Sequence, residues 1–229
     1  AILEQARRLK RSQGCQTLEL YSFNFNIHSD IFALLLELNR LFDRVRATSQ
    51  RIDVLCCTPH LIEAEVLAAV RSGIELLGGI DIFAAPDEQV LLKPNVLAGD
   101  PPERCVCTNP AVLKAVGQLF LERGCKVSYG DSPGHGDPRP HLASAGLTAA
   151  AEQLGLELAD FDQGRQVERG LLIANGVLAA DGIVSLSKLK THMVTRMTGA
   201  VKNLYGCIPG QTKRRYHLTH PIAFDFSHL

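Results

Sequence analysis

The fold is decided by residues 90–134, VLLKPNVLAGDPPERCVCTNPAVLKAVGQLFLERGCKVSYGDSPG. An apolar strand pattern (residues 90–92) comes first, and Asn109 and Pro110 then cap a helix that Gly124 closes. A second strand (residues 126–129) runs into the turn GDSPG. A strand, a helix and a strand in this order predict a βαβ unit with parallel strands.

The same alternation continues on both sides of this stretch. Residues 142–154 have a helical pattern, residues 157–160 resemble a strand, and residues 182–186 form a third apolar strand. Upstream, a helix is predicted to start at residues 58–59 and to stop at the glycines 78–79. We therefore predict an α/β fold, with a mostly parallel sheet built from βαβ units and layered with helices.

The first part of the chain is predicted to be a separate segment. Residues 17–26 alternate like a strand, and apolar residues at helical spacing follow in residues 31–42. We place a βαβ segment at residues 1–65 and the main α/β domain at residues 66–229.

Composition excludes several classes of protein. The 229 residues carry 24 Lys and Arg against 24 Asp and Glu, which argues against a polybasic binder of nucleic acid or of a membrane surface. The longest apolar run, residues 31–36, is too short to span a bilayer, and the opening residues lack a signal-peptide pattern. Seven cysteines, an odd number, suit a reducing compartment, so we expect a cytoplasmic protein.

Polar clusters follow three predicted strands at their carboxyl ends, and a fourth lies just downstream. Ligands of open parallel sheets bind in the crevice outside these ends, so we expect one cationic site for phosphate or carboxylate groups. His192 and Lys190 are the candidate catalytic residues, because neighbouring cations favour a neutral imidazole that can act as a base. The candidate ligand-binding residues are Lys93, Asn95, Asp131, Ser132, Lys188, Lys202 and Asn203.

Each cluster also has a simpler interpretation. A single lysine at a strand end is usually just solvated. The GDSPG segment (residues 130–134) is either a plain turn or a backbone nest for an anion, in which Asp131 binds a metal or a hydroxyl. It lacks the spacing of a Walker A loop.

The cysteines do not have the spacing of a metal site. Cys56 and Cys57 are adjacent and Cys105 and Cys107 are one residue apart, so neither pair forms a zinc ribbon or a ferredoxin-type run. We therefore predict no metal ligands and no 4Fe-4S cluster bound by this chain.

Six motifs in order cover most of the second part of the chain. They are LLGGI (residues 76–80), VLLKPN (90–95), TNPAVLKAV (108–116), GDSPG (130–134), LSKLKTH (186–192) and TGAVKNLYGCIPG (198–210). From about residue 66 onward, the sequence resembles the first part of the family known as domain of unknown function 362. The resemblance implies an iron–sulfur association, since many members carry 4Fe-4S cysteines, although this chain has no such run.

The opening stretch resembles a different family. Residues 21–55, YSFNFNIHSDIFALLLELNRLFDRVRATSQRIDVL, are similar to a βαβ piece of cobalamin-binding radical S-adenosylmethionine enzymes. The cysteine motif of that family is missing, so radical chemistry is not expected.

Two functional hypotheses from different classes follow. The first is a redox-associated enzyme domain that acts on an anionic small molecule through the Lys/Asn/His site, with a ferredoxin-like module or protein as partner. Its redox element comes wholly from the family resemblance. The alternative is a non-catalytic module that captures an anion or cofactor, or an incomplete fragment. Neither nucleic acid nor a membrane is an expected partner.

Overall fold

The computed structural model describes residues 62–134, 136–167, 170–192, 196–210 and 212–220. The predicted strand in residues 17–26 and the predicted helix in residues 31–42 lie outside the described residues. The division into segments 1–65 and 66–229 therefore stays a prediction.

The described part of the chain contains eight strands and seven α-helices. The strands are β1 (Gln89–Pro94), β2 (Lys126–Tyr129), β3 (Glu157–Leu158), β4 (Gly164–Gln166), β5 (Leu172–Ala174), β6 (Gly182–Leu186), β7 (Lys190–His192) and β8 (Arg196–Thr198). The helices are α1 (Glu63–Leu76), α2 (Pro110–Glu122), α3 (Pro138–Ser144), α4 (Leu147–Glu152), α5 (Asn175–Leu178), α6 (Ala200–Leu204) and α7 (Thr212–Thr219).

The main sheet has the strand order β3-β2-β1-β6, and every neighbouring pair is parallel. Val90 pairs with Val127 of β2 on one side, and Lys93 pairs with Ser185 of β6 on the other. Two antiparallel hairpins, β4-β5 and β7-β8, lie outside this sheet. The predicted α/β class with a mostly parallel sheet is confirmed.

From Val90 onward, the residues of β1 are buried on both faces of the sheet. Val90 and Leu92 belong to the main core with the apolar sides of α1 and α2, whereas Leu91 packs with Phe161 and Ala174 on the other face. A central strand of a layered parallel sheet is expected to be apolar on both sides. The side chain of Asn109 accepts a hydrogen bond from the amide of Ala111 (2.9 Å), which is the cap predicted for α2.

Two helix boundaries differ from the sequence prediction. Helix α1 begins at Glu63 because Ile62 is extended (φ −78°, ψ 119°), so the predicted start at residues 58–59 is wrong. The predicted helix over residues 142–154 is split into α3 and α4 by Gly146, whose φ of +73° only glycine adopts easily. The short strands of the two hairpins had too few residues for a periodic pattern to indicate them.

The carboxyl ends of β1, β2 and β6 meet at one edge of the main sheet, since the three strands are parallel. Lys93 lies at this end of β1, Asp131 follows β2, and Ser187 and Lys188 follow β6. The parallel sheet thus places Lys93, Asp131 and Lys188 at one edge, where ligands of such sheets bind.

Candidate functional site

A buried ion pair lies at this carboxyl edge. The ammonium nitrogen Nζ of Lys93 lies 2.5 Å from Oδ1 of Asp131, and the exposed fractions of the two side chains are 0% and 3%. The second carboxylate oxygen, Oδ2, accepts a hydrogen bond from the amide of Val96 (2.8 Å). Burial raises the pKa of the Asp131 carboxyl, and the Lys93 ammonium opposes this shift.

Asn203 of α6 joins this pair to the sheet. Its Oδ1 lies 3.3 Å from Nζ of Lys93, and its Nδ2 donates to the carbonyl oxygen of Lys93 and to Oγ of Ser185, each at 3.0 Å. The amide thereby uses both its donor and its acceptor. This predicted ligand residue therefore holds α6 against the ends of β1 and β6.

Gly206 lies against the ion pair, and its neighbourhood has no room for a side chain. A Cβ atom at this position would lie 2.3 Å from Oδ1 of Asp131 and 2.5 Å from Nζ of Lys93. The backbone after α6 therefore covers the charged pair at close range, which only a residue without a side chain allows.

Lys213 is a second buried lysine at this edge, and the sequence analysis missed it. It lies on α7, with only 7% of the residue exposed, and its ammonium donates to the carbonyl oxygens of Ser132 and Pro133, the latter at 2.7 Å. Oγ of Ser132 accepts a hydrogen bond from the amide of Gly210 (3.1 Å). Burial lowers the pKa of Lys213 to about 8, although Asp131 opposes the shift.

Lys202 is the half-buried cation of the site. Its Nζ lies 4.4 Å from the centre of the Tyr205 ring, an arrangement that attracts a cation. Among the residues that the structure describes, no carboxylate lies within ion-pair distance of this ammonium. Burial first, and then repulsion from Lys93, lowers the pKa of Lys202 to about 8.

Thr108 ties the ends of two strands together. Its hydroxyl accepts a hydrogen bond from the amide of Asn95 (2.7 Å) and donates one to the carbonyl oxygen of Leu186 (2.6 Å). Oδ1 of Asn95 is buried, and it has no hydrogen-bond partner within the described ranges. A buried acceptor without a donor is costly, so a donor supplied by a ligand would satisfy it.

The other predicted site residues lie on the segment after β6. Lys188 is buried, and Nζ of Lys190 donates to the carbonyl oxygen of Val106 (2.6 Å). Burial lowers the pKa of Lys190, and Cys107 and Asp100, with a smaller effect of Asp131, oppose this shift. The backbone of His192 closes β7, but its side chain is not among those described, so its catalytic role stays a prediction.

The structure thus places most of the predicted residues at one edge, with two differences from expectation. Lys93 is already paired with Asp131, so it is not an open ligand group. The remaining positive charge comes from Lys202 and from the unforeseen Lys213. A signal for Lys213 existed in the spacing of Lys213 and Tyr216, which face the interior three residues apart on α7.

The described cysteines do not fit an iron–sulfur cluster. Within the described ranges, no group of three or more His, Cys, Asp or Glu side chains could hold a metal ion. Cys125 contacts the carbonyl oxygen of Ala85, and burial raises the thiol pKa of Cys207 beside the Lys93–Asp131 pair. Cys56 and Cys57 lie outside the described residues.

Comparisons with known proteins found one similar curated protein and one matching family. A thylakoid-associated protein of Synechocystis sp. is 38% identical over 158 residues, which make up 67% of this chain and 49% of that relative. The chain thus spans about half the length of this relative. No solved structure matches the chain. The resemblance of residues 21–55 to radical S-adenosylmethionine enzymes is not confirmed, and those residues lie outside the described ranges.

Every helix in the described ranges is too short or too polar to span a lipid bilayer. The cytoplasmic location stays a prediction. Residues 90–227, which include the buried Lys93–Asp131 pair and its surroundings, match the domain of unknown function DUF362. This match covers more than half of the 229 residues of the chain. The chain therefore belongs to the domain of unknown function 362 family.

Proposed function

We propose that the protein binds a small anionic molecule at the carboxyl edge of its parallel sheet. One observation carries the proposal: the single buried carboxylate of Asp131 is paired with Lys93, while Lys202 and Lys213 lie within its field and add further positive charge. With all four groups charged, the cluster has two more positive charges than negative charges.

The electrostatics favour a negative ligand over a neutral one. Lys202 and Lys213 each have a pKa near 8, because burial and repulsion from Lys93 disfavour their charged forms. A phosphate or carboxylate group would replace the lost solvation and relieve the repulsion, since an opposite charge favours the ammonium form. Lys202 is the half-buried member, so it is the group that a ligand from solvent meets first.

Phosphate titration tests the proposal. Isothermal titration calorimetry of the full chain with inorganic phosphate, at pH 7 and low ionic strength, should give saturable binding. We expect Lys202→Met to weaken it about 5- to 150-fold, since a charge-assisted hydrogen bond contributes roughly 1–3 kcal/mol. Lys126→Met is the matched control, because Lys126 is an exposed lysine at the opposite end of β2.

Two results would overturn the proposal. The first is no saturable heat with phosphate or with citrate as a carboxylate ligand. The second is an equal loss of affinity in Lys202→Met and Lys126→Met, because a uniform loss indicates general surface charge rather than a site. Circular dichroism on each variant establishes that the fold is intact.

Whether binding leads to chemistry depends on residues 190–192. An enzyme should lose turnover in His192→Ala and in Lys190→Met, whereas a binding module should lose affinity alone. The redox element of the hypothesis, with an iron–sulfur partner, rests on the family resemblance, and no described residue argues for it. Anion binding is therefore the main proposal, and redox chemistry with a separate partner protein is the second candidate function.

A further inference from the structure

We propose that Lys202 is a nucleophilic amine that forms an imine with a small aldehyde or ketone carrying a phosphate or carboxylate group. The inference rests on the proposed anion site, because that site would hold the charged end of the molecule. It adds a covalent step and a substrate class to simple binding.

The surroundings of Lys202 differ from those of an ordinary surface lysine. Nζ stands over the Tyr205 ring, and the hydroxyl of Tyr205 donates to the carbonyl oxygen of Lys213 (2.9 Å), which fixes the ring between α6 and α7. The neighbouring buried Lys93 repels the charged form of Lys202. The Tyr205 ring holds the Lys202 amine in position. No described carboxylate forms an ion pair with this amine.

The other lysines of the cluster are less suited to attack a carbonyl. Lys93 is fully buried and paired with Asp131, and Lys213 already donates to two backbone carbonyl groups. Nζ of Lys190 donates to the carbonyl oxygen of Val106. Lys202 is thus partly exposed to solvent and lies near a second cation, Lys93.

The protonation state supports this role. With a pKa of about 8, roughly half of the Lys202 side chains are free amines at pH 8, against about 0.3% for a lysine of pKa 10.5. Desolvation next to a second cation is an established way to activate a lysine for Schiff-base chemistry. The Tyr205 ring opposes this effect in part, because it favours the cation.

The reaction balances without an external oxidant or reductant. The lone pair of Nζ forms a bond to the carbonyl carbon while the C=O π bond breaks and its electron pair moves to the oxygen. A proton then passes from the nitrogen to this oxygen and gives a carbinolamine. The carbinolamine then loses one water to form the C=N bond. The negative group of the substrate stays among the lysines, where it would satisfy the charge that Asp131 leaves uncompensated.

Reductive trapping tests the inference in the full chain. The protein is incubated at pH 8 with limiting pyridoxal 5′-phosphate, used as an aldehyde probe with a phosphate group, and then with sodium borohydride. Hydride adds to the imine carbon and leaves a stable secondary amine that peptide mass spectrometry assigns to a lysine. We expect Lys202 to be labelled at least tenfold more than Lys126, and Lys202→Arg to remove that label while Lys126→Met leaves it unchanged.

A parallel reaction with pyridoxal, which lacks the phosphate, and one with excess inorganic phosphate separate the two proposals. Labelling of Lys202 that depends on the phosphate group and is blocked by phosphate supports both. Preferential labelling by both aldehydes without phosphate protection supports the reactive amine and contradicts the anion site. Saturable phosphate binding with Lys202 labelled no more than Lys126 overturns the imine inference alone, and the absence of both overturns both.

Discussion

Nζ of Lys93 lies 2.5 Å from Oδ1 of Asp131, and the ion pair joins the end of β1 to the residue that follows β2. The amide of Val96 binds the other carboxylate oxygen, so one buried group organises the exits of two neighbouring strands. A buried ion pair contributes little net stability, but a partner left alone is costly. The pair therefore sets the shape of the site more than it stabilises the protein.

Removing the charge of Asp131 should strongly destabilise the fold. In Asp131→Asn, the buried ammonium of Lys93 loses its only carboxylate partner among the described residues. We expect the free energy of unfolding to fall by about 3–5 kcal/mol, measured by urea denaturation at pH 7.

The control for this variant is an exposed ion pair. Arg104 pairs with Asp100 at 2.9 Å, and 70% of the Arg104 side chain is exposed. Arg104→Met should cost less than about 1 kcal/mol. Comparable losses in Arg104→Met and Asp131→Asn would contradict the buried pair.

Gly206 should tolerate no side chain. The added methyl group of Gly206→Ala would collide with Oδ1 of Asp131 and Nζ of Lys93. We expect a loss of about 1–3 kcal/mol, the usual scale for overpacking, together with weaker phosphate binding.

Gly73 offers the matched substitution in an open place. It lies inside α1, and a Cβ atom there would meet nothing within 4 Å. Gly73→Ala should raise the free energy of unfolding by about 0.5–1 kcal/mol, the helix-propensity difference. If thermal or urea unfolding shows Gly206→Ala to be as stable as Gly73→Ala, the Gly206 backbone does not lie against the Lys93–Asp131 pair.

The sequence was sufficient to predict the α/β class and the parallel βαβ arrangement of the main sheet. Val90, Leu91 and Leu92 are buried on both faces, and the cap at Asn109 and the turn at Gly124 leave few alternatives to a right-handed βαβ unit. Because parallel strands end together, Lys93 and Asp131 were expected at the same edge of the sheet.

The pairing inside the site could not be predicted in the same way. Lys93 is 0% exposed because the backbone at Gly206 covers it. Its side chain therefore contacts Asp131 rather than solvent. Lys213 and Ser132 are 81 residues apart in the sequence, so no local sequence pattern predicts their contact. The two- and three-residue strands of the hairpins depend on tertiary contacts rather than on intrinsic propensity.

Lys213 should make stability depend on pH in the alkaline range. Its folded pKa of about 8 lies below the value of 10.5 expected without burial, so the unfolded chain binds more protons between about pH 8 and 10.5. Stability of the wild type relative to Lys213→Met should therefore rise with pH over this window, by about 1–3 kcal/mol. Urea unfolding of the two proteins at pH 7.5 and pH 10 gives this difference.

An exposed lysine provides the comparison for that titration. Lys126→Met removes an exposed lysine at the start of β2 and is measured alongside as the control variant. A wild-type advantage over Lys213→Met that is flat or shrinks as pH rises would show that Lys213 keeps an ordinary pKa.

The iron content of the purified protein is a further expectation. Anaerobically purified full chain should show no stoichiometric 4Fe-4S absorption, since its cysteines lack the spacing of a cluster motif. Iron and sulfide analysis gives the stoichiometry. About four irons and four sulfides per chain would contradict this and would direct attention to Cys56, Cys57, Cys105 and Cys107.

The central claim is that the lysines around Asp131 form an anion site, and locating an oxyanion in a crystal tests it most directly. Crystals of the full chain, grown without other oxyanions and soaked in selenate, can be measured at the selenium edge. The account predicts an anomalous peak within hydrogen-bonding distance of Nζ of Lys202, at the carboxyl edge of the sheet. Selenate peaks on other surfaces, with none at this edge, would contradict it.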